Sequence, residues 1–198
     1  MTKTLEFFFD FGSPATYLAF TQAEPLAKRL GAEIVYKPML LGGVFKATGN
    51  QSPVMIAPKG AWMTKDLQRW AAFYKVTFRF PERFPINTLP LMRGAVAYRD
   101  TEKFEPYLHA VFRAMWVEGV PLDTPEAIGT ALTAAGIDPA EFQARIEDEG
   151  VKDELKRLTG EAVERGVFGA PTFFVGEEMF FGQDRLHFVG EALAAQSN

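Results

Sequence analysis

The chain has 198 residues, 47% apolar and 23% charged, which excludes a disordered protein and suits one generous domain or a small domain carrying a large insertion. Its formal net charge is -4, with acidic and basic residues mixed along the chain, so no basic stripe is present to neutralise a row of phosphates and nucleic acid is not an expected partner. The count of cysteines is zero, which rules out a disulfide, a thiolate metal site and a thiol nucleophile of the protein's own.

The first apolar run, Leu5 to Asp10, is short, aromatic and bounded by Gly12 and Pro14, which predicts a buried strand. It is too short and too interrupted for a signal-peptide core, and no other stretch approaches a membrane span, so the expectation is a soluble, cytoplasmic protein. From Pro14 the spacing of Tyr17, Leu18, Ala19, Leu26 and Leu30 predicts a helix, with Ser13 as its N-cap and Gly31 as its end. Glu33 to Pro38 alternates like a second strand and completes a βαβ unit.

From about residue 40 to 166 the pattern is almost entirely helical, with apolar residues at helix spacing in "MTKDLQRWAAFY", "LMRGAVAYR", "YLHAVFRAMW", "AIGTALTAA" and "AEFQARIED". Breaks are expected at "LLGGVF", "FPERFPINTLP", "EGVPLDTPEA" and "GIDPAE", where Gly and Pro concentrate. The segment "PTFFVGEEMFFG" then predicts a hairpin turning at Gly176-Glu177, and "DRLHFVGEALAAQ" a closing helix. The order βαβ then ββα is that of an α/β thioredoxin-like fold, made of residues 1–39 and 167–198, with residues 40–166 as a large all-helical, DsbA-like insertion.

In such a fold the first strand-to-helix turn sets a reactive group at a helix N-terminus, where unpaired N–H groups favour an anion. Here Ser13-Pro14-Ala15-Thr16 puts hydroxyls at both positions where a redox motif has sulfur, so disulfide exchange is excluded. Ala170-Pro171, ahead of the third strand, supplies the other half of the site. A cis bond there would turn the Ala170 N–H and C=O outward as an edge for an extended peptide. His109 and His187 lack a second histidine or paired carboxylate and are expected to be structural, leaving no metal site.

The blocks "FDFGSPATYL", "ATGN", "PKGAWMTKDLQRW", "FGAPTFFV" and "FFGQDRL", in this order over nearly the whole chain, resemble the 2-hydroxychromene-2-carboxylate isomerases and the related kappa-class glutathione transferases. The resemblance implies glutathione as cofactor, with Ser13 donating a hydrogen bond to its sulfur as the catalytic contact. It implies that Asn50, Lys59, Ala170, Pro171, Gln183 and Asp184 hold the tripeptide, and that Phe45, Trp62 and Phe84 face a small aromatic electrophile. Phe45 and Phe84 stand where the naphthalene-pathway isomerase has a lysine and a tyrosine. The implied reaction is reversible addition of the glutathione thiolate to a ring compound, which isomerises and releases the thiol. The alternatives are a kappa-like transferase or peroxidase that consumes glutathione, and a non-catalytic glutathione- or peptide-binding module. A homodimer is also implied.

Overall fold

Strand β1 (Lys3–Phe9) lies between β2 (Ala32–Pro38), to which it pairs in parallel, and β3 (Thr172–Val175), to which it pairs antiparallel; β4 (Glu178–Phe181) completes the order β2–β1–β3–β4. The computed structural model describes residues 2–196. Because side chains alternate across a strand, Leu5, Phe7 and Phe9 fill one side of the sheet and Phe8 fills the other, against Met39, Val44 and Phe174. Both faces of the central strand are therefore covered.

Helix α1 (Pro14–Leu30) starts where expected: Ser13 is extended, and its side chain accepts the Thr16 N–H. Pro14 occupies the first helical position, where a missing donor costs nothing, and Gly31 ends the helix at φ 66°, a conformation that side chains resist. The crossover from β1 through α1 to β2 then sets Ser13 at the end of the sheet from which β1 emerges.

The helical segment supplies α2 (Leu41–Thr48), α3 (Ala57–Tyr74), α4 (Leu89–Tyr98), α5 (Phe104–Trp116), α6 (Pro125–Ala134), α7 (Pro139–Ile146) and α8 (Glu149–Glu164). After β4 come a 3-10 turn, Gln183–Arg185, and α9 (Leu186–Ala195). The "LLGGVF" break is corrected by the structure, since Leu41, Gly42 and Gly43 form the first turn of α2. The pair of glycines serves packing there: a Cβ on Gly43 would stand 3.1 Å from the Thr159 methyl of α8. A close helix approach has the same sequence signature as a turn.

One continuous apolar core joins the sheet to the helices, running from Phe7 and Phe9 through Phe11 and Phe112 to Trp116. Trp116 is fully buried, and its indole N–H donates to the Phe11 carbonyl at 2.8 Å. A helix of the insertion thus braces the turn that carries Ser13.

Candidate functional site

A cavity of about 460 Å³ opens where the ends of β1, α2, α3 and the loop before β3 meet. Ser13, Phe45, Asn50, Lys59, Phe84 and Ala170 line it together, although their positions span most of the sequence. The size falls within the usual range for a small-molecule site.

Ser13 is 6% exposed. Its hydroxyl accepts from Thr16 N at 3.2 Å and donates to the Ala170 carbonyl at 2.8 Å. The peptide bond from Ala170 to Pro171 is cis, as expected. The outward edge is corrected by half, however, because the Ala170 carbonyl faces Ser13. Its N–H alone has no acceptor among the described residues. The rest of this loop is tied down group by group. Asn50 Nδ2 donates to the Phe168 carbonyl at 2.8 Å, the Thr172 hydroxyl to Gly169 at 2.8 Å, and the Gly182 N–H to Pro171 at 2.9 Å. Asn50 therefore helps to fix the loop that carries Ala170. The Thr16 hydroxyl is buried in the interior without a hydrogen-bond partner, so Ser13 alone of the two hydroxyls serves the cavity.

Lys59 sits in the first turn of α3, where the helix dipole disfavours a cation, and it pairs with no carboxylate among the described residues. A cation in that position is available to an anionic group entering the cavity. Phe45 and Phe84 give the opposite wall an apolar character, and Phe168 and Phe181, with ring centroids 4.6 Å apart, form its aromatic lip.

Four expected residues do not line this cavity, the first being Pro171, which is buried. Trp62 falls about 100° round α3 from Met63, which does line the cavity, and its ring is left 62% exposed. Gln183 and Asp184 line a neighbouring hollow of about 670 Å³ with Trp70, Tyr74 and His187. That hollow is larger but holds no counterpart of the Ser13–Ala170 junction. Gln183 is buried and its carbonyl accepts the Tyr74 hydroxyl at 2.9 Å; burial, with Asp184 nearby, pushes the Tyr74 phenol up to about 12. Asp184 pairs with Arg185 at 2.6 Å. In the chain Asp184 follows two residues after Gly182, whose N–H is bonded to the Pro171 carbonyl.

The sequence reading passed over Asp10 as an interruption of the first strand. Its side chain is 1% exposed and accepts from the Gly12 N–H and the Leu41 N–H, both at 2.8 Å, with the Thr88 side chain beside it. The available signal was a lone carboxylate in an apolar run, three residues before Ser13. Burial raises the Asp10 pKa, and hydrogen bonding from its neighbours opposes the rise. In the interval above the ordinary carboxylate value the folded chain thus binds more protons than the unfolded one, so this group makes stability fall as pH rises. The expected result is that the unfolding free energy of wild type minus that of Asp10→Asn decreases upward from about pH 4. Denaturant titrations at several pH values measure it, and a rising difference would contradict the assignment.

A family model for the DSBA-like thioredoxin domain matches residues 4–194. The chain belongs to that family. It is 35% identical to the 2-hydroxychromene-2-carboxylate isomerase of Sphingobium xenophagum over 192 residues, covering 96% of this chain and 97% of the relative. It is 28% identical to glutathione S-transferase kappa 1 of Rattus norvegicus, covering 96% of this chain and 91% of that protein. A solved 2-hydroxychromene-2-carboxylate isomerase structure superposes with a TM-score of 0.86 at 32% identity, over 96% of this chain and 94% of the other. The expected thioredoxin-like fold and the resemblance drawn from the sequence both stand.

Proposed function

We propose that the protein is a glutathione-dependent isomerase of the 2-hydroxychromene-2-carboxylate type, acting on an intermediate of aromatic-compound breakdown. The observation that carries this reading is the Ser13 hydroxyl, presented at a helix start against the Ala170 edge, in a chain with no thiol of its own. Full-length similarity to isomerases supports it.

The residues fit a glutathione molecule chemically. Ala170 offers a free N–H to a peptide carbonyl, Lys59 a cation to a carboxylate, and the N-terminus of α1 a partial positive charge to a thiolate. When bound, glutathione supplies the nucleophilic sulfur. Ser13 has one proton to give, and it is held by the Ala170 carbonyl. Turning it toward a thiolate releases that carbonyl to accept a peptide N–H, so activation of the sulfur and completion of the docking edge are one exchange of hydrogen bonds. The wall of Phe45 and Phe84 takes the flat, apolar body of the acceptor.

That same wall lacks a titratable group, which is the observation favouring the second reading, a kappa-like transferase or peroxidase. Incubation with the chromene separates the readings. Conversion with trace glutathione supports the isomerase, stoichiometric loss of thiol the transferase, and binding without conversion a non-catalytic module. A cytoplasmic location accords with the need for reduced glutathione.

We also assign a homodimer. Trp62 and Phe73 lie on the outer face of α3 at 62% and 73% exposure, with the Asp66–Arg69 pair between them and exposed Met55 and Ile56 nearby, apolar side chains available to a second copy. Light scattering at micromolar concentration is expected to give twice the 22.1 kDa chain mass. A monomeric mass would overturn the assignment.

A further inference from the structure

Helix α2 begins without a capping side chain of its own, since Leu40 precedes it. The Asp10 carboxylate, 31 residues earlier, fills that place by accepting the Leu41 N–H, while its other oxygen accepts the Gly12 N–H and its backbone carbonyl the Ser13 N–H at 3.1 Å. One buried side chain thus joins the turn carrying Ser13 to the helix that carries Phe45 and leads to Asn50. The space around it is full: a Cβ on Gly12 would stand 3.2 Å from the Asp10 oxygen and 3.0 Å from the Thr88 methyl. The groups that face the carboxylate are the Gly12 and Leu41 N–H groups and the Thr88 side chain, all neutral, and it has no ion-pair partner among the described residues. Both oxygens accept a backbone N–H, and in its ionised form the group can only accept.

We propose that Asp10 is a positioning residue of the thiol site whose negative charge also raises the pKa of a thiol bound at Ser13. The proposal rests on the glutathione reading. The helix end and the Ser13 hydroxyl favour the thiolate, and the charge behind them opposes it. A sulfur that must both add and leave is served by this balance, because the most stabilised thiolate is the weakest nucleophile. The backbone from Asp10 to Ser13 spans at most about 10 Å. For a sulfur held on the order of 10 Å from the charge, with an effective dielectric near 20, one charge alters the proton affinity of the thiol about tenfold.

The test uses the full chain. Calorimetry first establishes glutathione binding to wild type; absence of binding removes the glutathione reading and this proposal together. The thiolate absorbance of bound glutathione is then titrated in wild type and Asp10→Asn, which keeps the shape of the side chain and removes its charge. We expect the bound thiol to hold its proton about tenfold less tightly in Asp10→Asn. A purely structural role predicts the reverse, since a loosened helix end would stabilise the thiolate less. An unchanged or raised thiol pKa with glutathione bound therefore overturns this proposal while leaving the glutathione reading in place. Should Asp10→Asn fail to fold, wild type carrying carboxyl-labelled aspartate is titrated by NMR with glutathione and with S-methylglutathione. Linkage requires the thiolate to raise the proton affinity of Asp10 by the same factor, and equal titration with the two ligands overturns the proposal.

Discussion

Ser13→Ala is expected to raise the pKa of bound glutathione by one to two units and to slow turnover at neutral pH about ten- to a hundredfold. The hydroxyl donates to a developing charge, and a charge-assisted hydrogen bond contributes about 1.5–3 kcal/mol, which is the same quantity expressed as a pKa change. The fold should lose less. Ser13 also caps α1 through Thr16 N and anchors Ala170, so the variant should unfold with about 1–2 kcal/mol less free energy yet remain folded. Two arms separate the roles. Thiolate absorbance of bound glutathione reports the donor to sulfur directly. Affinity for S-methylglutathione, which carries no ionisable thiol, reports the docking edge, and it should be unchanged or tighter because the Ala170 carbonyl is released. If the thiol pKa of wild type and variant coincided, Ser13 would be a helix cap and nothing more.

What was legible in the sequence is what depends on neighbours along the chain. The N-cap at Ser13, the proline after it, the left-handed Gly31 and the hairpin at Gly176 each follow from two or three adjacent residues, and the structure has all of them. The cavity wall of Lys59 and Phe45 was reached through the resemblance, and both residues line it. What was not legible depends on partners distant in the chain. Asp10 reads as a flaw in a strand until the Leu41 N–H, brought in by the crossover, gives it a reason to be there. The Ala170 carbonyl reads as a free ligand edge until Ser13, 157 residues away, claims it. Gly42-Gly43 reads as a turn because local composition cannot show that α8 is close enough to exclude side chains. Trp62 shares a helix face with neither Lys59 nor Met63 closely enough to reach the cavity, a distinction of one residue in helical phase.

Asp184→Asn is expected to weaken glutathione binding about ten- to a hundredfold while leaving the rate at saturating glutathione unchanged. We propose that Asp184 meets the ammonium end of the tripeptide, and the geometry behind this is one of register. Phe181 pairs with Thr172, and Gly182 bonds to Pro171, so Asp184 lies two residues beyond the ligand edge, round the ridge made by Phe181. We propose that a peptide docked on Ala170 continues past the Phe181 end of β4 and so brings its far end to that carboxylate. The existing partner is no obstacle. The Arg185 contact joins two side chains that are 49% and 36% exposed, and exposed pairs of this kind contribute little, so an ammonium group can replace it. Asn preserves shape and removes the counter-ion, which costs a charge-assisted contact of about 1.5–3 kcal/mol. Because this contact is remote from the sulfur, it is equal in ground and transition states, and its loss appears in the glutathione requirement alone. Arg185→Gln supplies the opposing arm: with its competitor gone, Asp184 should bind glutathione equally or more tightly. Ala170→Val, which changes no backbone donor, should bind it nearly as well as wild type. Rate against glutathione concentration for the three variants decides the matter, and a lower saturated rate for Asp184→Asn at an unchanged glutathione requirement would move Asp184 out of the ammonium site.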